Sequence, residues 1–221
     1  VPVLNGSNLD EWRYGVAFLE RLTKRPITPE TYPATIAEFF SVRARSAQLT
    51  NVYLSVGPEK VLAEYPLDRY PSASEAVAAA ETDAFMACPA LKMNEWLSEL
   101  TPTYGYEFSY RNAWMYWSPP SFPYGAAHTA ELQFLFPAFH WGPDTVSRTL
   151  NEQEQILFDR MVAYWTNFAK SGAPTPSEPN EWPKFAKGSP RLMKLDLGAP
   201  ALDDTFAQRH RCEFWDSVSI R

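Results

Sequence analysis

A chain of 221 residues, 45% of them hydrophobic and 15% aromatic, is long enough for one substantial core or two small ones. A formal charge of −6, with 20 Lys and Arg scattered along the chain, argues against a nucleic-acid partner, because neutralising phosphates needs clustered cations. No apolar run approaches the roughly 20 residues that cross a bilayer, and the opening residues have neither the basic start nor the apolar centre of a signal peptide. Cys88 and Cys212 are too few for a disulfide scaffold and too far apart for a CxxC metal knuckle. One long-range bridge or two buried thiols remain open, and no metal or cofactor is expected.

Taken in order, residues 1–4 predict a short buried strand ending at the turn signal Asn5-Gly6-Ser7-Asn8, after which Asp10 and Glu11 enter a loop. These carboxylates either carry chemistry or begin the helix predicted over 12–22, where they would favour its dipole. Asn5-Gly6-Ser7 also fits the glycosylation sequon, accidentally if the strand end is buried. Short helices are expected at 35–42 and from Pro58 to Tyr65, as rim elements among prolines. Ser72 with Glu75 forms a capping-box pattern ahead of an alanine-rich helix running to Cys88, which Pro89 should end or kink. A further helix covers 91–100. Tyr104, Tyr106, Phe108 and Tyr110 alternate with Gly105, Glu107 and Ser109, so 103–111 reads as a strand.

A Trp- and Pro-rich loop follows (Trp114, Trp117, Pro119, Pro120, Pro123), which either lines an apolar pocket or merely packs. It leads to Gly125-Ala126-Ala127-His128-Thr129-Ala130-Glu131-Leu132. A histidine in a turn of small residues sits where backbone can approach closely, the way a general base is presented, although a lone histidine there also serves as a plain hydrogen-bonder. Asn151 and Glu154 make a second capping box, opening an amphipathic helix with Leu157, Met161, Tyr164, Trp165 and Phe168 on one face that stops at Gly172 and Pro174. A proline-rich loop (174–183), a last strand (191–197) and a terminal helix (205–219) complete one continuous α/β unit with no repeat and no linker.

In an open α/β sheet, sites form beyond the carboxyl ends of strands, so Glu11 and His128 can meet despite their separation in sequence. A carboxylate accepting from Nδ1–H fixes the tautomer, leaves Nε2 to take a nucleophile's proton and stabilises the imidazolium that forms.

Seven segments, in order, resemble the type-B carboxylesterase and cholinesterase family of the α/β-hydrolase fold: Val1-Pro2-Val3 through Gly6-Ser7-Asn8-Leu9-Asp10-Glu11, Asp83-Ala84-Phe85-Met86-Ala87-Cys88-Pro89, Tyr106-Glu107-Phe108, Gly125 through Leu132, Tyr164-Trp165-Thr166-Asn167-Phe168-Ala169, Trp182-Pro183, and Cys212-Glu213-Phe214-Trp215. The resemblance implies an α/β fold with few sheet strands and many surrounding helices. It makes Glu11 the triad acid, His128 the triad histidine and Glu131 a buried carboxylate near them. It implies a Cys88–Cys212 disulfide, hence a secreted or otherwise oxidising setting, and a small-molecule ester as substrate. Trp12 stands where many relatives have glycine. The family's serine lies in a G-x-S-x-G elbow, and no such elbow occurs in this sequence. Residues 1–221 are therefore expected to be the carboxyl-terminal part of a single catalytic domain, with the serine supplied by the amino-terminal part. A non-catalytic binding or adhesion module is the alternative.

Overall fold

The computed structural model describes residues 1–40, 56–115, 117–118, 121–136, 149–175 and 181–218. Four strands form one mixed sheet in the order β1 (Val3–Asn8), β2 (Thr103–Phe108), β3 (Leu192–Leu195) and β4 (Ala201–Asp203). The pairs β1·β2 and β2·β3 are parallel and β3·β4 is antiparallel, so β1 and β2 send their carboxyl ends to the same edge of the sheet. The first two strand predictions need correction, while the third, 191–197, contains β3. The Asn5-Gly6-Ser7-Asn8 stretch is part of β1 rather than a turn after it, because Gly6 lies beside Tyr106 in register and leaves room for that ring. Conversely β2 stops at Phe108, after which Leu9 N–H donates to Phe108 O and Ser109 N–H donates to Leu195 O. The Asn5 amide points inward and donates to Ala90 O and to Asn94 Oδ1.

Two helices cover the central strands. On one face lies α5 (Cys88–Ser98), whose Asn94 packs over Gly105. On the other, Trp165 and Phe168 of α6 (Glu152–Ser171) meet Tyr106 and Tyr104 edge-on at 5.1 and 6.1 Å. This explains why β2 alternates in sequence yet is buried on both faces: the tyrosines meet α6, while Glu107 turns to the opposite side and is 1% exposed. The larger hydrophobic cluster lies among α1 (Arg13–Thr23), α2 (Tyr32–Phe40), α3 (Pro58–Glu64) and α4 (Ala73–Thr82), whose alanines permit close approach. The smaller one joins β2 and β3 to α6.

Helix ends follow local chemistry. Asn151 and Glu154 form the full reciprocal capping box of α6, and Gly172 closes that helix at φ 76°. Ser72 caps α4 by accepting from Glu75 N–H at 3.2 Å. The alanine-rich helix does not run unbroken to Pro89: a π-helical turn at Asp83–Ala87 intervenes, and Pro89 then occupies the first turn of α5, where its missing N–H costs nothing. Asp10 and Glu11 precede α1 instead of starting it, since Trp12 is its N-cap and its first turn holds no acid. The helix expected over 205–219 is two, α7 (Phe206–Arg209) and α8 (Cys212–Val218), broken where Arg211 takes φ 51°. Val42, Pro119, Pro120 and Ser219, named in the predicted elements, lie outside the described residues.

Candidate active site

The site is built on the turn that follows β1. Asn8 N–H donates to Glu11 Oε1 at 2.8 Å, curling the chain so that the Glu11 side chain folds back over the strand end. The loop after β2 returns to this turn and is laced to it by four hydrogen bonds: Asp10 N–H to Ala126 O, Ala126 N–H to Asp10 Oδ2, His128 N–H to Glu11 O, and Asn8 Nδ2 to Ala127 O. Small residues make this possible, since Ala126 and Ala127 are fully buried against the turn. Farther back, Glu20 of α1 accepts from Ser74 Oγ of α4 and from the N–H and Oγ of Ser121. That carboxylate anchors the approach to the histidine loop.

The consequence is a short contact between His128 Nδ1 and Glu11 Oε2, 2.7 Å. Glu11 is 8% exposed and His128 50%, so the carboxylate is enclosed while the imidazole reaches out of the turn. Among the described residues Nε2 has no hydrogen-bond partner. The hydrogen bond that His128 donates to Glu11 raises the pKa of the imidazole above its ordinary value; burial opposes this, and the charges of Glu11 and Glu131 add to it. Glu131 lies in a 3₁₀ turn, Ala130–Phe134, and accepts from Asn8 Nδ2 at 2.5 Å. Burial raises its pKa, the Asn8 bond opposes, and the neighbouring charge of Glu11 raises it further. Thr129 holds φ 72°, a left-handed conformation costly for a β-branched residue, directly after the histidine.

Asp10, the other carboxylate of the acidic pair, does not touch His128. Its two oxygens take donors from Arg111, Arg13 and Ala126 instead. Beside the imidazole, Tyr14 stands at 6.2 Å, stacked on Trp117 at 5.7 Å, and Phe18 stacks on the same indole. Trp12 packs toward Phe85 at 6.0 Å. The loop carrying Trp114, Trp117 and Pro123 borders a cavity of about 470 Å³, but neither Glu11 nor His128 lines it.

A second constellation was missed from the sequence. His210 is 3% exposed, with Nδ1 on Asp83 and Nε2 on Glu107 Oε1 at 2.6 Å. Arg209 Nη2 bonds the other oxygen of Glu107 at 2.6 Å, and Tyr65 OH donates to Asp83 Oδ2 at 2.8 Å. Burial pulls the His210 pKa down, yet the charges and hydrogen bonds of Asp83 and Glu107 outweigh it and push the value up to about 9. With acceptors on both ring nitrogens this is a buried imidazolium with no free lone pair, unable to act as a base. The Cys88–Cys212 disulfide ties α5 to α8 beside it.

Parallel strands that deliver a carboxylate loop and a histidine loop to one sheet edge, with helices on both faces, are the architecture of an α/β-hydrolase portion. The chain belongs to the carboxylesterase family, whose family model matches residues 1–215. It is 32% identical over 134 residues to cocaine esterase of Homo sapiens, covering 60% of this chain and 22% of that protein. It is 28% identical over 224 aligned positions to pyrethroid hydrolase Ces2a of Mus musculus, covering 97% of this chain and 37% of that protein. Similarity to acetylcholinesterase of Bungarus fasciatus is 28% over 137 residues, or 61% of this chain and 21% of that one. The chain thus spans between about a fifth and somewhat over a third of the length of these relatives.

Proposed function

We propose that this chain supplies the acid and the base of a carboxylic-ester hydrolase working by a Ser-His-Glu triad. The observation that carries the reading is the 2.7 Å contact of His128 Nδ1 with an enclosed Glu11, on a half-exposed ring whose Nε2 has no hydrogen-bond partner among the described residues. Nδ1–H donates to Glu11, so the lone pair sits on Nε2. There it takes the proton of a serine hydroxyl as that oxygen bonds to the ester carbonyl carbon. The proton then passes to the departing alkoxide, and water repeats the cycle on the acyl-enzyme. Glu11 stabilises the imidazolium in both halves. Asn8 N–H holds the other oxygen of Glu11 in place.

The sequence has no G-x-S-x-G elbow and matches 37% of the pyrethroid hydrolase's length. On this reading residues 1–221 are the carboxyl-terminal part of one catalytic domain, and the serine and oxyanion donors come from the amino-terminal part. The substrate is a small ester, with the Tyr14 and Trp117 rings beside the imidazole favouring an apolar or aromatic group. The disulfide favours an oxidising compartment.

Hydrolysis of a p-nitrophenyl ester tests the reading. The chain alone is expected to show no turnover and no labelling by a serine-directed phosphonate. In the full-length enzyme, His128→Ala should remove about 10³-fold or more of kcat, and Glu11→Gln should lower it heavily but less, by spoiling tautomer and orientation. Turnover with stoichiometric phosphonate labelling of the isolated chain would falsify the division of labour. Full activity of His128→Ala would refute His128 as the base, whereas a full-length protein with no serine elbow and no turnover would point instead to a binding or adhesion module.

A further inference from the structure

The histidine loop has nothing of its own to hold it. Gly125, Ala126 and Ala127 offer no side chain that reaches a partner, so the position of His128 depends on what grips their backbone. Two residues do so: the Asn8 amide donates to Ala127 O at 2.8 Å, and Asp10 holds both backbone groups of Ala126. Asp10 is 7% exposed, and its Oδ2 accepts from Ala126 N–H at 3.0 Å while its own N–H donates to Ala126 O at 3.0 Å. Gly125 turns over it at φ +62°, and a Cβ there would fall 2.4 Å from Oδ2. The carboxylate is itself fixed by a guanidinium fork, Arg111 Nε on Oδ2 at 2.9 Å and Nη2 on Oδ1 at 3.0 Å. Arg13 adds Nε on Oδ1 at 3.2 Å, and the same guanidinium reaches Glu75 at 3.0 Å and Pro123 O at 2.8 Å. Asp10 is therefore saturated by donors and tied to β2's exit, α1, α4 and the loop before the histidine.

We propose that Asp10, clamped by Arg111 and Arg13, is a positioning residue that sets the register of the histidine loop on the acid loop and so fixes the His128–Glu11 contact. The proposal rests on the triad reading above. Residues 10 and 11 then divide the work: Glu11 meets the imidazole, and Asp10 holds the backbone that carries it. A bidentate arginine pair suits this task because it constrains direction as well as distance. The arrangement matters for rate because a displacement of about 1 Å in a reacting group costs on the order of 10²-fold.

Selective ¹⁵N labelling of the three histidines reads the titration of His128 in the intact chain, in wild type and in Glu11→Gln, Asp10→Ala and Arg111→Ala. Glu11→Gln should lower the His128 pKa by removing its partner. Asp10→Ala should lower it too, by letting the loop drift from Glu11. Loss of a negative charge acts in that same direction, so Arg111→Ala decides: removing a positive charge would raise the pKa, whereas a loosened clamp lowers it. Arg111 is 55% exposed, so this variant also stands in if Asp10→Ala does not fold. In the full-length enzyme, Asp10→Ala should reduce kcat about 10- to 100-fold with KM within about threefold. Asp10→Asn, which keeps an oxygen facing Ala126 N–H, should recover part of the rate. An unchanged or raised His128 pKa in Arg111→Ala, with Glu11→Gln shifted, overturns the positioning role and leaves the triad intact. Wild-type titration in Glu11→Gln overturns the triad reading, and this proposal with it.

Discussion

At His128 and His210 the same side chain is put to opposite uses by the number of acceptors it meets. His128 has one carboxylate on one nitrogen, and in the proposed triad it must be neutral to act as a base, so on that reading activity should fall as pH drops through a pKa raised above its ordinary value of about 6.5. A pH–rate profile of the full-length enzyme measures that limb, and Glu11→Gln should move it to lower pH. His210 has acceptors on both nitrogens and a folded pKa of about 9. Because this lies above the unfolded value, its stabilisation is fully present below about pH 6.5 and is lost as pH rises through about 9. Urea unfolding between pH 6 and 10 should show that decline. His210→Ala should cost about 3–5 kcal/mol at neutral pH, since buried Asp83 and Glu107 would lose the cation between them and Glu107 would keep only Arg209. An undiminished unfolding midpoint would refute that balance. His128 is prominent in the sequence because small residues surround it. Nothing in the sequence around His210 marks its role, because its partners lie 127 and 103 residues away.

Among the elements, those with local signals were read well and those shaped by tertiary contact were not. The capping box at Asn151 and the glycine at 172 mark the limits of α6 by their own hydrogen bonds, and Asn151→Ala should cost about 1 kcal/mol of stability in a thermal melt. In β1, by contrast, Asn-Gly-Ser-Asn has every local mark of a turn. It is held extended by six residues of parallel pairing with β2, and Gly6 is required there by a neighbour's ring. Gly6→Ala would put a Cβ 2.2 Å from Tyr106 O and 2.6 Å from its ring. Sound folding of that variant, judged by near-UV circular dichroism, would mean the strand can shift in a way its register disallows. Likewise β4 is three residues long and was absent from the sequence reading, because so short a strand is defined by its partner rather than by its own pattern. The break between α7 and α8 at Arg211 is of the same kind, since its guanidinium stacks over Tyr65 and Tyr70.

For the molecule as a whole, the Cys88–Cys212 bond closes a separation of 124 residues. Chain entropy alone assigns such a link about 5 kcal/mol as an upper figure. Reduction should therefore lower the Tm by roughly 10 °C for a chain of this size, and an unchanged melt under reductant would show that the helices hold α8 without it. Pairing could not be read from spacing; it came from resemblance, and the structure brings the two sulfurs together. The sheet carries a different consequence. Along one side of β1, no strand follows in the order among the described residues, so a row of backbone N–H and C=O groups has no strand partner there. Val3–Asn8 contains no charged residue to repel a neighbour. Such an edge is a template for another strand. Kept by itself at high concentration, this chain should become stickier with concentration, and sedimentation velocity should show species larger than one copy, growing from that uncapped border.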